Sequence, residues 1–142
     1  MDSSAGPDRP PRQLLAAVCA WWAAAVLAAL HVVAMWTSRD GLVGLLVEQG
    51  ASRPDAESRA QSLLVLNTSL DALVALAYFA MSVLTYRRLP WARMVLTAFG
   101  LLDLVRTMGA GTSNFLLAAV LVLALVLTWW PASSRWIAGE HG

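Results

Sequence analysis

Apolar residues along this chain gather into four long runs, at 14–36, 63–85, 89–108 and 115–130, with short polar segments between them. Crossing a hydrocarbon core roughly 30 Å thick takes about 20 helical residues, so each run is close to one bilayer in length. Hardly any chain is left over for a soluble domain, and in lipid a helix satisfies all its backbone groups within one segment. The pattern predicts an all-α integral membrane protein with four transmembrane helices.

The connections refine that picture. Residues 37–62 form the one sizeable loop. Its run of Leu42, Val43, Leu45, Leu46 and Val47, bounded by Gly41 and Gly50, is too short to span and suits a short helix at the outer interface. Ser52 is placed to cap a following helix, with Pro54 in its first turn and Asp55 and Glu57 complementing its N-terminal dipole. No breaker follows before Pro90, so the second long helix should begin outside the bilayer and run for about 30 residues. The links at 86–89 and 109–114 are short, with Ser113 or Asn114 as a cap for the last helix. Short links force neighbouring helices antiparallel and give an up-down-up-down bundle. Residues 1–13, with Pro7, Pro10 and Pro11, are expected to be a flexible tail, and 131–142 a second tail.

The first run is read as a retained helix rather than a secretory signal. It is about 23 residues long, well beyond the 7 to 15 of a signal h-region, and no A-x-A-like site follows Trp36.

Composition agrees, with 58% hydrophobic and 13% charged residues. A net charge of +1 argues against a nucleic-acid partner. Arg supplies every basic residue apart from two His, and Ile137 is the only Ile, a bias expected of a GC-rich genome. The single Cys19 excludes an intrachain disulfide and reads as a small buried thiol.

Arginine placement sets the expected orientation. A cytoplasmic N-terminus puts Arg9, Arg12, Arg87, Arg88, Arg93 and Arg135 inside. Arg39, Arg53 and Arg59 then lie outside among Asp40, Glu48, Asp55 and Glu57. Trp91, Trp129, Trp130 and Trp136 fall at the inner interface and Trp36 at the outer one, whereas Trp21 and Trp22 sit deeper and suggest a first helix starting nearer Val18. The reading is a multi-pass plasma-membrane protein with both termini cytoplasmic. Arg87, Arg88, Trp91 and Arg93 anchor the inner side, as a topology signal before an anionic-lipid or partner site.

Small and polar residues indicate packing faces, since apolar bulk alone does not distinguish protein from lipid. Ala16, Ala20, Ala24 and Ala28 recur every four residues on the first helix, with His31 continuing that face. Asn67, Asp71, Ala75, Tyr78 and Ser82 share a face of the second, and Arg93, Thr97, Gly100, Asp103 and Thr107 one of the third. The fourth, nearly all Leu, Val and Ala, should be the most lipid-exposed, with Ala118 and Ala119 as contacts.

His31, Asn67, Asp71, Asp103 and Arg106 form the candidate polar cluster. Counted from the outer ends, His31, Asp71, Asp103 and Arg106 fall within about 9 Å of depth, so side chains from three helices can meet in the outer half of the bilayer. Asp103 and Arg106 are spaced to pair along one helix. Charges at the bilayer centre cost at least about 2.5 kcal/mol each and are tolerated when paired and turned inward, so a structural clasp is the first reading. A site for a proton, cation or polar ligand entering from outside is the second, and an Arg106 that snorkels to the interface the third. Asn67-Thr68-Ser69 matches the glycosylation pattern at membrane depth and is treated as chance. No bis-His haem pair, metal-ligand spacing, phosphate loop or nucleophile elbow is present, so neither metal, cofactor nor catalytic residue is expected.

Two segments carry a resemblance. Tyr86-Arg87-Arg88-Leu89-Pro90-Trp91-Ala92-Arg93 and the ending from Trp129 to Trp136 resemble small four-span membrane proteins of actinobacteria, whose arrangement is similar over nearly the whole chain. The resemblance implies topology and no activity. The expectation is a non-catalytic accessory or scaffolding subunit that associates with itself or another membrane protein. The alternative is a small transporter or ligand-binding membrane protein using the His/Asp/Arg cluster, with a lipid-modifying enzyme a distant third.

Overall fold

The computed structural model describes residues 9–109 and 115–139, and these are entirely helical and connecting segments. Six helices follow one another: α1 (Arg12–Thr37), α2 (Arg39–Glu48), α3 (Arg53–Tyr86), α4 (Pro90–Gly109), α5 (Phe115–Thr128) and α6 (Pro131–Ala138). Two of them, α1 and α3, are long and apolar enough to cross a membrane. The α5–α6 pair, bent by 54° at its break, makes a third if it is taken as one span.

Named contacts fix the helix directions. Trp22 Nε1, in the first half of α1, donates to Ser82 Oγ (3.1 Å) near the end of α3, while Trp36 Nε1, at the end of α1, donates to Thr68 Oγ1 (2.8 Å) near the middle of α3. These two helices therefore run antiparallel. Tyr78 and Asp71 of α3 meet Asp103 and Arg106 of α4 in reverse order, so that pair is antiparallel too. α5 packs against both α1 and α4, and Trp129, just beyond its end, reaches back to Thr97 in the first half of α4.

Side-chain size decides how closely the helices approach. α1 buries Leu14, Ala17, Ala20, Trp21, Ala24, Ala25 and Ala28. The alanines, lacking bulk beyond Cβ, let neighbouring backbones close in. This corrects the expected face: Ala20, Ala24 and Ala28 are buried, but Ala16 is exposed, with Ala17 in its place. Cys19 is also exposed on the outer surface of the bundle rather than buried. α5 buries Leu117, Leu121, Ala124 and Thr128, so it is a core helix, and neither the half-buried Ala118 nor the exposed Ala119 carries its packing.

Elsewhere the boundaries moved. α1 starts at Arg12, not near Val18, because Trp21 belongs to the core instead of the interface. Only Ser38 separates α1 from α2, and α3 runs for 34 residues. Ser52 occupies the N-cap position of α3, but its side chain makes no capping bond. The expected C-terminal tail instead holds α6, begun by Pro131 at the first helical position and closed by Gly139 in the left-handed region. Ser113, Asn114 and residues 1–8 lie outside the described residues.

Two turns share one device. After α2, the N–H of Gly50 bonds Val47 O and that of Ala51 bonds Leu46 O, with Gly50 at φ +97°. This is the Schellman arrangement, in which a left-handed residue satisfies the last carbonyls of a helix. α2 thereby folds back on α3, packing Val43 against Ala56 and Ala60. After α3, the N–H of Arg88 bonds Thr85 O and that of Leu89 bonds Leu84 O. Here the left-handed residue is Arg88, at φ +66°.

Candidate functional site

Asp71 of α3 and Asp103 of α4 face each other across the interior, each only 3% exposed. Arg106, one turn beyond Asp103, turns back between them. Its Nη2 donates to Asp71 Oδ1, and its Nε lies 3.5 Å from Asp103 Oδ1. Tyr78, two turns along α3 from Asp71 and fully buried, donates its hydroxyl to Asp103 Oδ2 at 2.8 Å. The four side chains make one linked unit bridging α3 and α4.

That unit continues into the apolar core. Tyr78 packs against the indole of Trp21 at 5.0 Å between centroids, and Trp21 Nε1 donates to Thr128 Oγ1 of α5 at 2.9 Å. Trp21 also lies over Gly100. A Cβ built on that glycine would stand 2.6 Å from Trp21 Cη2 and 3.2 Å from Cζ3. The absent side chain of Gly100 is therefore what makes room for the outer edge of the Trp21 ring against α4. A buried Trp or Tyr needs a partner for its polar tip, and here each tip is satisfied from another helix.

Three of the five cluster residues read from the sequence come together: Asp71, Asp103 and Arg106. The other two do not join them. His31 is half-buried and makes no hydrogen bond or ion pair among the described residues. Asn67 folds back on its own helix, donating to Leu63 O at 2.8 Å, and lines a separate apolar recess of about 320 Å³ with Met35, Leu42 and Leu63. Asn67 keeps the face of Asp71 but stands one turn nearer the start of α3, where the recess it lines is made by α1 and α2. Sequence reasoning missed Tyr78 as the clasp's fourth member, although it had placed Tyr78 on the face of Asp71. Trp21 was missed because a Trp near a span end reads as an interfacial anchor. The signal available was Gly100, a small residue in need of a large neighbour.

At the opposite end of the bundle lie the anchor residues. Arg88 stacks over Trp136 of α6 at 3.9 Å, and Arg93 over Trp129 at 3.6 Å while donating to Ser134 Oγ at 3.1 Å. Arg87 and Trp91 are exposed. Ser134, Trp136 and Ile137, read as tail, thus belong to a packed element. No group of three metal-ligating side chains occurs among the described residues. Compared with family models, with curated proteins and with solved structures, the chain matches none.

Proposed function

We propose that α1, α3, α4 and α5 each cross the plasma membrane, with α2 and the start of α3 outside and both termini in the cytoplasm. On this reading the chain is a non-catalytic accessory or scaffolding subunit that associates with itself or with another membrane protein. The carrying observation is the state of Asp71, a carboxylate that is buried and ion-paired across two helices rather than facing water. Charges so arranged hold a bundle together, and their pairing is what makes α4 tolerable in lipid despite its Arg and Asp. Around the clasp, Leu76, Leu102, Val105 and Met108 turn more than two-thirds of their surface outward, as helices facing lipid or a partner's helix do. α5 has 14 residues and rises about 21 Å, less than a hydrocarbon core of roughly 30 Å, so on this reading the bilayer thins around it, with Trp129 and Trp130 marking the interface just past its end.

One observation favours transport or ligand binding as a second reading. Asp71 Oδ2 and Asp103 Oδ1 are buried without hydrogen-bond partners, and two carboxylates share one guanidinium, leaving a negative charge to be met by a cation or polar ligand. Asp71→Asn separates the two readings. A scaffold loses about 1–3 kcal/mol of bundle stability, the worth of a hydrogen bond to a charged group, and vesicles bearing it take up solutes as before. Unchanged stability with abolished proton-coupled uptake would overturn the scaffold in favour of the transporter.

A further inference from the structure

Arg88 occupies a position that glycine fills at least cost. It is the left-handed residue of the Schellman turn closing α3, and a side chain there costs about 1–2 kcal/mol. Backbone strain of this kind persists where the side chain has a task. The guanidinium of Arg88 sits over the ring of Trp136, 3.9 Å from its centroid, and has no acidic partner among the described residues.

Arg93 repeats the arrangement on the other flank of α6. Ser133 and Ile137 mark the buried face of that short helix. Ser134 and Trp136 lie to either side of it by helical spacing, so Arg93 and Arg88 border the helix from both edges. Stacking on a ring holds a guanidinium plane while leaving in-plane N–H groups for a planar or tetrahedral anion. Among the described residues the charge at this end is one-sided, and by sequence its six arginines outnumber Asp2, Asp8 and Glu140 of the termini. Arg9, Arg12, Arg87, Arg88, Arg93 and Arg135 stand there, whereas the described acidic residues are either on the α2–α3 hairpin or in the buried clasp. The ion pairs among the described residues use Arg53 and Arg106 and none of these six.

We propose that α6, with Arg88 and Arg93 on its edges, is a platform for the phosphate headgroups of anionic phospholipids. The indoles of Trp129 and Trp130, each nearly half exposed, set α6 at headgroup depth. The complementary charge selects the anionic lipid over a zwitterionic one. This site rests on the membrane reading and holds whichever leaflet the end faces.

Arg88→Gly supplies the test, because it removes the charge and relieves the backbone together. The full chain is placed in nanodiscs of phosphatidylcholine with and without phosphatidylglycerol, and the lipids retained on extraction are counted by native mass spectrometry. Wild type should hold phosphatidylglycerol in excess over its share. Arg88→Gly should cut that excess about fivefold while leaving thermal stability equal or higher. Arg53→Gln, which removes an exposed charge from the hairpin, should leave the excess unchanged. Equal retention of both lipids by wild type, an equal loss in Arg53→Gln, or displacement of the lipid by millimolar inorganic phosphate would overturn the platform. Failure to enter discs of either composition would instead bring down the membrane reading beneath it.

Discussion

Replacing Gly100 by leucine is expected to open the bundle, lowering its stability by about 3 kcal/mol or more and driving Trp21 out of the core. Even alanine should be destabilising. In a helix interior alanine gains about 0.8–1.0 kcal/mol over glycine, but its Cβ would sit 2.6 Å from Trp21 Cη2, and overpacking of that kind costs typically about 1–3 kcal/mol. Trp21 has no room to yield, being 1% exposed, packed against Tyr78 and hydrogen-bonded to Thr128. On a Trp21→Phe background, which removes both close ring atoms, Gly100→Ala should cost much less than it does alone. Unfolding of the four variants in a double-mutant cycle would measure that coupling, and additive effects would contradict the contact.

The second large effect is expected at Arg106. Arg106→Gln leaves two buried carboxylates without their cation; because the Arg106 side chain is itself 41% exposed, the loss falls below that of a fully buried pair, at about 2–4 kcal/mol. Asp71→Asn is milder, because the remaining Arg106–Asp103 pair is neutral. The order of loss, Arg106→Gln well above Asp71→Asn, separates a clasp from an arginine that merely snorkels, since a snorkelling residue would be replaced at little cost. Thermal unfolding in nanodiscs reads the difference directly. Equal, small losses for both variants would show that the pairing contributes little.

The clasp was legible in the sequence to the extent that its members are rare residue types for an apolar run. Asp71, Asp103 and Arg106 stand out because charges at that depth need partners, and the i, i+3 spacing of Asp103 and Arg106 named one of them. In the sequence His31 joins them by its depth at the end of the small-residue face of α1, and Asn67 by lying one turn from Asp71 on the same face of α3. Depth fixes height along the bundle and leaves rotation about each helix free, so residues at one height can face different neighbours. The same limit explains Ala16: a strict four-residue repeat drifts around a helix of 3.6 residues per turn, and Ala17 reaches the interface instead. Period told less about α5, whose side chains are all apolar, leaving nothing to distinguish its core face from its lipid face. α6 was hidden by its brevity, and by Pro131, which reads as a stop for the preceding helix and equally as the start of the next. Arg88 in a left-handed turn had no sequence signal, since glycine is the residue that ordinarily marks one.

The most direct test of the account is which side of the membrane each connection faces. In a Cys19→Ala background, single cysteines at Ser3, Gly50, Arg87, Thr112 and His141 are challenged on intact cells with a membrane-impermeant maleimide. Four crossings predict labelling at Gly50→Cys and Thr112→Cys, with Ser3→Cys, Arg87→Cys and His141→Cys reacting only after permeabilisation. Labelling of the two terminal positions from opposite sides, or of Gly50→Cys and Arg87→Cys from the same side, would contradict it.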